Sequence, residues 1–204
     1  MIKYLIGLCL ILVLATNPQA KEQKPGVARW AIKTSIASVV DSPTPMDFDK
    51  FVALPDPPSA AHNNKDFQKA RYQGEEQIVS VRGYVYLVAR EPDGDYHIQI
   101  SNSPTSGDHC IVVEVPKDDP TYVQDSYVRE KAGAVRQFIR DRLLNGREPS
   151  SSGSVMQHSP YMEFAGALFF DDAHVGGAPR GKKGMHAATL WEIHPIIGVR
   201  FVTP

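Results

Sequence analysis

Residues 109–146, HCIVVEVPKDDPTYVQDSYVREKAGAVRQFIRDRLLNG, join a strand to a helix, and the fold is read from what lies on either side of them. HCIVVEV is a short β-branched run that stops at Pro116, which cannot donate to a sheet ladder. The helix is expected from about Tyr122 to Leu144. Val128, Ala132, Val135, Phe138, Ile139 and Leu143 recur at three- and four-residue spacings and form one apolar stripe. Arg129, Arg136, Arg140 and Arg142 mark the expected wet side, and Asn145-Gly146 is a helix stop.

Upstream lie two more strand signals. Gln77–Arg90, QIVSVRGYVYLVAR, is rich in β-branched and aromatic residues, with Gly83 marking a bend or bulge. The turn Pro92-Asp93-Gly94-Asp95 follows, with Gly94 supplying the positive φ of a hairpin, and leads into YHIQIS. Downstream, the Ser/Gly-rich loop PSSSGS precedes YMEFAGALFF, and a long glycine-rich loop precedes TLWEIHPIIGVRFV. Three strands, a helix and two strands is the chain order of an OB-fold. The expectation is therefore a mainly β, α+β domain over residues 76–204: a five-stranded Greek-key barrel with its helix between the third and fourth strands.

Residues 21–75 read as an extended, proline-rich arm broken at SPTPMDF and LPDPPSAAHNN. Trp30, Ile32 and the run Phe48–Leu54 are its apolar anchors to the barrel. Residues 1–20, MIKYLIGLCLILVLATNPQA, carry one lysine, an apolar run from Tyr4 to Ala15 and a polar end. That is the pattern of a secretory signal peptide, and the run is too short for a membrane span. Ala20 suits the last residue before cleavage, although Pro18 stands where a small residue is preferred, so a cut nearer Ala15 is the alternative. An exported, periplasmic or secreted protein is expected, with no membrane span after cleavage.

The 204 residues carry 42% hydrophobic and 22% charged side chains, outside the disordered class. The net charge is −1, and −2 once Lys3 is removed, so no global field draws the chain to nucleic acid or an anionic membrane. With Cys9 in the signal segment, Cys110 is the remaining cysteine. An intramolecular disulfide framework is thus excluded, and Cys110 reads as a small buried apolar residue.

The chemistry-bearing residues follow from strand alternation. Tyr96, Ile98 and Ile100 share the apolar face of the second strand, while Asp95, His97 and Gln99 share the other, with Asp93 just before them. In the last strand Trp191, Ile193 and Ile197 face one way and Glu192 and His194 the other. Asp171 and His174 stand where the fourth strand ends. Carboxylate beside imidazole suits a divalent metal ion or an acid/base pair near neutral pH. It equally suits a structural network in which each carboxylate fixes a histidine tautomer. DGDYH lacks the later ligands of a calcium loop. The loop Gly176–Lys183 falls short of a phosphate-binding loop, since Lys183 replaces the magnesium-binding hydroxyl and a strand follows. Arg180, Lys182 and Lys183 could still contact an anion. GxSxG, HExxH and paired cysteines are absent.

The segments DGDYHIQI, VVEVP, FFD with a following His, and GKKGM…TLWEIHPI resemble a set of bacterial exported proteins. These share D-x-D-x-H, E-x-P, F-F-D and a terminal E-L/I-H-P-V/I. Arg29–Thr34 of the arm also resembles theirs. The matching residues are Asp93, Asp95, His97, Glu114, Pro116, Asp171, His174, Glu192, His194 and Pro195. In the commonest form glycine directly follows the histidine after F-F-D, whereas here Val175 follows His174. The resemblance implies export and a barrel-like domain, and no activity.

Three functions are compatible with these residues. The first is a non-catalytic exported binding domain using Asp93, Asp95, His97, Glu192, His194, Arg180, Lys182 and Lys183. By fold analogy its partner is an oligosaccharide, an oligonucleotide or a protein. The second is a metal-dependent phosphodiester hydrolase, with a divalent ion on Asp95, His97, Glu192 and His194, or on Asp171 and His174. The third is an envelope structural domain without a ligand.

Overall fold

The computed structural model describes residues 28–204, so the expected signal peptide and the first residues of the expected arm lie outside the described residues. In chain order come α1 (Trp30–Lys33), β1 (Thr44–Pro45), α2 (Phe48–Val52), a 3-10 turn (Lys65–Phe67), β2 (Ile78–Arg90), β3 (Tyr96–Ser101) and β4 (Cys110–Val115). Then follow α3 (Ser126–Leu143), β5 (Ser154–Val155), β6 (Tyr161–Phe170), a second 3-10 turn (Asp172–His174) and β7 (Ala187–Phe201).

Five strands close into a barrel in the order β2-β3-β4-β7-β6 and back to β2. β4 and β7 run parallel, and the other barrel pairs are antiparallel. This is the expected OB-like, mixed five-stranded barrel. β2 is long enough to pair with β6 through Tyr84 and with β3 from Tyr84 onward. The register shift on β2 falls between Val85 and Leu87, not at Gly83. Gly83 instead permits a close approach of two strands, since a Cβ there would lie 3.1–3.2 Å from Ser101 O and the Ile100 side chain.

The barrel interior holds Val81, Val85, Tyr96, Ile98, Ile100, Ile111, Val113, Phe164, Trp191 and Ile193 among its buried side chains. α3 packs on β7, and its Val128, Ala132, Val135 and Ile139 are all buried. Each large apolar side chain of this kind is worth about 1.5–3 kcal/mol when fully buried. The helix starts at Ser126 rather than Tyr122, because the Asp125 carboxylate accepts from the Tyr127 and Val128 amides and caps it there. Arg136, expected on the wet side, is buried. Its guanidinium lies 3.6 Å from the centre of the Tyr96 ring and donates to Gly94 O at 3.0 Å.

In β7 the core residue is Ile196, not Ile197. Leu168 pairs with Ile193 and Gly166 with Ile196, so β7 carries one extra residue there, and a second before Gly198, which pairs with Ala165; its inward alternation slips after His194. Gly166 makes room for this bulge, since a Cβ there would meet Pro195 O at 2.2 Å.

The arm packs onto the barrel. β1 pairs in parallel with β2, and Phe48, Phe51 and Tyr72 join the core. Arg29 and Glu75, both wholly buried, form a two-pronged ion pair with 2.6 Å contacts. Glu75 also accepts from the amides of Tyr72 and Phe170, so one carboxylate ties the arm to the end of β6. Among the described residues no helix is long and apolar enough to cross a membrane.

Candidate functional site

Both faces of β3 and β4 are buried. The polar face is thus covered rather than open to solvent. His97, Glu114, Glu192 and His194 point away from the barrel core, yet each is at most 4% exposed. The physical cause is a cover: the β6–β7 loop brings Arg180 over them, and α1 brings Lys33. In an OB barrel this outer face of the second and third strands is where ligands commonly lie. Between cover and barrel is a cavity of about 560 Å³ whose lining includes Lys33, His97, Glu114, Arg180, Glu192 and His194.

Strand register assembles the site. His97 on β3 pairs directly with Glu114 on β4. Val113 pairs with Ile193 on β7, which places Glu114 beside His194. The two histidine strands are therefore not neighbours, and β4 carries the residue that joins them. Glu114 Oε1 lies 2.9 Å from His97 Nδ1 and accepts from Arg180 Nη2 at 3.2 Å, while Oε2 lies 3.3 Å from His194 Nδ1. Burial acts to raise the Glu114 pKa. The His97 hydrogen bond and the Arg180 and His194 charges outweigh it and hold the carboxyl well below the usual glutamate range.

The hairpin turn sets Asp95. Gly94 adopts φ 97°, and Glu91 and Asp95 close the turn through a 2.9 Å backbone bond. Asp95 Oδ1 accepts from the Lys117 amide at 2.9 Å. Oδ2 lies 3.4 Å from both Lys33 Nζ and His194 Nε2. Burial works against ionisation of Asp95, but His194 and Lys33 prevail and lower its pKa. Lys33 also meets Asp93 at 2.9 Å. Burial opposes the Lys33 charge, yet Asp95, Asp93 and Glu114 raise its pKa overall.

The remaining candidates separate. His97 Nε2 faces Gln99 Oε1 at 3.2 Å, and that oxygen also accepts from the Lys182 amide. Glu192 is ion-paired to Arg180, which also reaches Asp171 at 2.9 Å. Burial disfavours the Arg180 charge, but Asp171 and Glu114 raise its pKa above the ordinary value. Asp171 pairs with the half-exposed His174 at 2.6 Å. Lys182 reaches Glu91 at 3.1 Å, whereas Lys183 stays exposed on the loop and takes no part. Asp95, His97, Glu192 and His194 do not converge as one ligand set. The groups that do converge are Asp95–Glu114–His194 and Glu91–His97–Glu114. Burial pushes the Cys110 thiol up to about 11, which leaves it unreactive.

Sequence reasoning passed over Glu114 as the centre of the site and Glu91 altogether, and met Lys33 only as part of the arm segment Arg29–Thr34. The signal for Glu114 was a lone carboxylate at an outward position of an otherwise apolar strand, CIVVEV. Lys33 carried no such signal, because its partners lie 60 residues or more along the chain.

No protein-family model and no curated protein matches the sequence. Among solved structures the fold is similar to a Leishmania major Friedlin protein assigned as an aspartyl-tRNA synthetase. The TM-score is 0.37 and the identity 8%, over 82% of this chain and 22% of that one. The chain thus spans about a fifth of that protein's length.

Proposed function

We propose that the protein is an exported, non-catalytic binding domain whose ligand is a small molecule or ion carrying positive charge, held in the capped cavity on the outer face of β3, β4 and β7. The observation that carries this is the charge of the cavity region. Glu91, Asp93, Asp95, Glu114, Asp171 and Glu192 face three fixed cations, Lys33, Arg180 and Lys182. Counting only these nine groups, that is an excess of three negative charges in a region largely withdrawn from water, where unbalanced charge is costly. A cationic ligand lowers that cost, whereas an oligonucleotide raises it. Export is supported by the N-terminal apolar run and by the resemblance to exported proteins.

Binding is favoured over phosphodiester hydrolysis by the state of Arg180. Its guanidinium is engaged by Glu114, Asp171 and Glu192, so it is not a free cation aimed at a transferring phosphoryl group. The test is amide hydrogen exchange across residues 171–186, with metal ions, with putrescine and arginine as organic cations, and with a single-stranded oligodeoxynucleotide. Protection of this cover by a cation and none by the oligonucleotide is expected. Protection by the oligonucleotide alone, or by no probe, would sink the reading.

A further inference from the structure

We infer that Asp95, Glu114 and His194 bind one divalent transition-metal ion at the wall that Glu114 and His194 contribute to the cavity; this rests on the binding reading above. His194 is 1% exposed, and neither ring nitrogen has a hydrogen-bond partner. Leaving a buried polar group unpaired costs about 1–3 kcal/mol. Asp95 Oδ2, wholly buried, has no hydrogen-bond partner either, its one cation being Lys33 Nζ at 3.4 Å. These orphaned atoms point at one another: His194 Nε2 lies 3.4 Å from Asp95 Oδ2, and Nδ1 lies 3.3 Å from Glu114 Oε2. Either contact has the separation of two ligands sharing an ion, which takes one of the two ring nitrogens. Bonds of about 2.1 Å in a tetrahedron place neighbouring ligands about 3.4 Å apart.

One nitrogen and one oxygen from each carboxylate lie within 4.8 Å of one another, so small side-chain rotations close them on an ion. His97 hydrogen-bonds Glu114 from the other strand at 2.9 Å and so orients that carboxylate, as outer-shell partners orient metal ligands. One imidazole with two carboxylates suits zinc, manganese, iron(II) or cobalt, and suits calcium poorly because calcium takes oxygen ligands. Lys33 Nζ, 3.4 Å from Asp95 Oδ2, is the competing cation. An entering ion displaces it toward Asp93, already 2.9 Å away.

The experiment titrates the full chain, stripped with chelator, with zinc and manganese by calorimetry and with cobalt by visible absorption. One ion per chain is expected. Asp95→Asn and His194→Gln should each weaken binding at least tenfold, and Lys33→Met should strengthen it. His186→Ala, which removes the exposed His186–Asp108 pair, should leave it unchanged. Absence of saturable binding to the unmutated chain overturns the inference without any variant. So does binding that survives both Asp95→Asn and His194→Gln, or that is lost in His186→Ala, since the ion is then on the surface. Protection of residues 171–186 by putrescine or arginine, with no metal bound, leaves the binding domain standing and removes only the metal site.

Discussion

Glu114 joins His97 to His194 across three strands, with one carboxylate oxygen 2.9 Å from the first imidazole and the other 3.3 Å from the second. Arg180 closes on the same carboxylate at 3.2 Å. Glu114→Gln keeps the shape and removes the charge, leaving Arg180 with one fewer buried partner. Breaking a buried ion pair on one side costs about 3–5 kcal/mol, and the remaining Asp171 and Glu192 contacts place this variant near the lower end. Urea unfolding should show a lower midpoint with an unchanged slope.

Stability should fall steeply in acid. Asp95, Glu114 and Asp171 all have folded-state pKa values below their ordinary ones, burial being outweighed in each by neighbouring cations and imidazoles. A lowered carboxyl stabilises the fold fully above its unfolded pKa, about 4, and that contribution is lost as pH falls through the folded value. Asp93 acts in the opposite sense, since burial raises its pKa despite Lys33, so protonating it relieves the fold. Melting temperatures measured from about pH 6 to about pH 2.5 should decline below about pH 4. The decline should be shallower in Glu114→Gln.

Gly166→Ala tests the β7 bulge. The added methyl meets Pro195 O at 2.2 Å and the Ile193 side chain at 2.7 Å, a backbone clash that no rotamer relieves. Overpacking of this kind costs about 1–3 kcal/mol. Because the bulge follows His194 directly, the variant should also weaken any ligand binding in the cavity, read by the same calorimetric titration.

Arg29 and Glu75 hold the arm, and with it Lys33, over the site. Arg29→Met strands a buried carboxylate and should cost about 3–5 kcal/mol. Arg29→Met combined with Glu75→Leu should cost less than Arg29→Met alone, because no lone buried charge remains. Limited proteolysis should cut residues 53–75 sooner in Arg29→Met than in the unmutated chain.

The Cys110 thiol should resist alkylation. It is buried, and burial pushes its pKa up to about 11. Iodoacetamide at about pH 8, close to the pKa of a free thiol, should leave the Cys110 peptide unmodified in the native protein. The same reagent should label it fully in guanidinium, read by mass spectrometry. Rapid native labelling would mean that β4 opens readily.

The barrel was legible in the sequence because its signals are local. The helix stripe at Val128, Ala132, Val135 and Ile139 and the strand alternation at Tyr96, Ile98 and Ile100 depend only on residues within a turn or a pleat of one another. Where a local rule met a non-local event it failed. Ile197 reads as inward by alternation, but the extra residue of β7 opposite Gly166 and Leu168 puts Ile196 there. Arg136 reads as wet by its charge, but the Tyr96 ring, from a different element, covers it.

The site divides in the same way. By itself the sequence determined which residue types stand on the outer face of each strand: Asp95 and His97 on one, Glu192 and His194 on another. Only the tertiary structure decided that β4 lies between those strands and brings Glu114 to the centre. It also decided that a loop and a four-residue helix bury the face with Arg180 and Lys33. The reason is physical: alternation is written in neighbouring residues. The parallel pairing of β4 with β7 and the docking of the arm join segments far apart in the chain, and their register comes from the packing of the whole barrel.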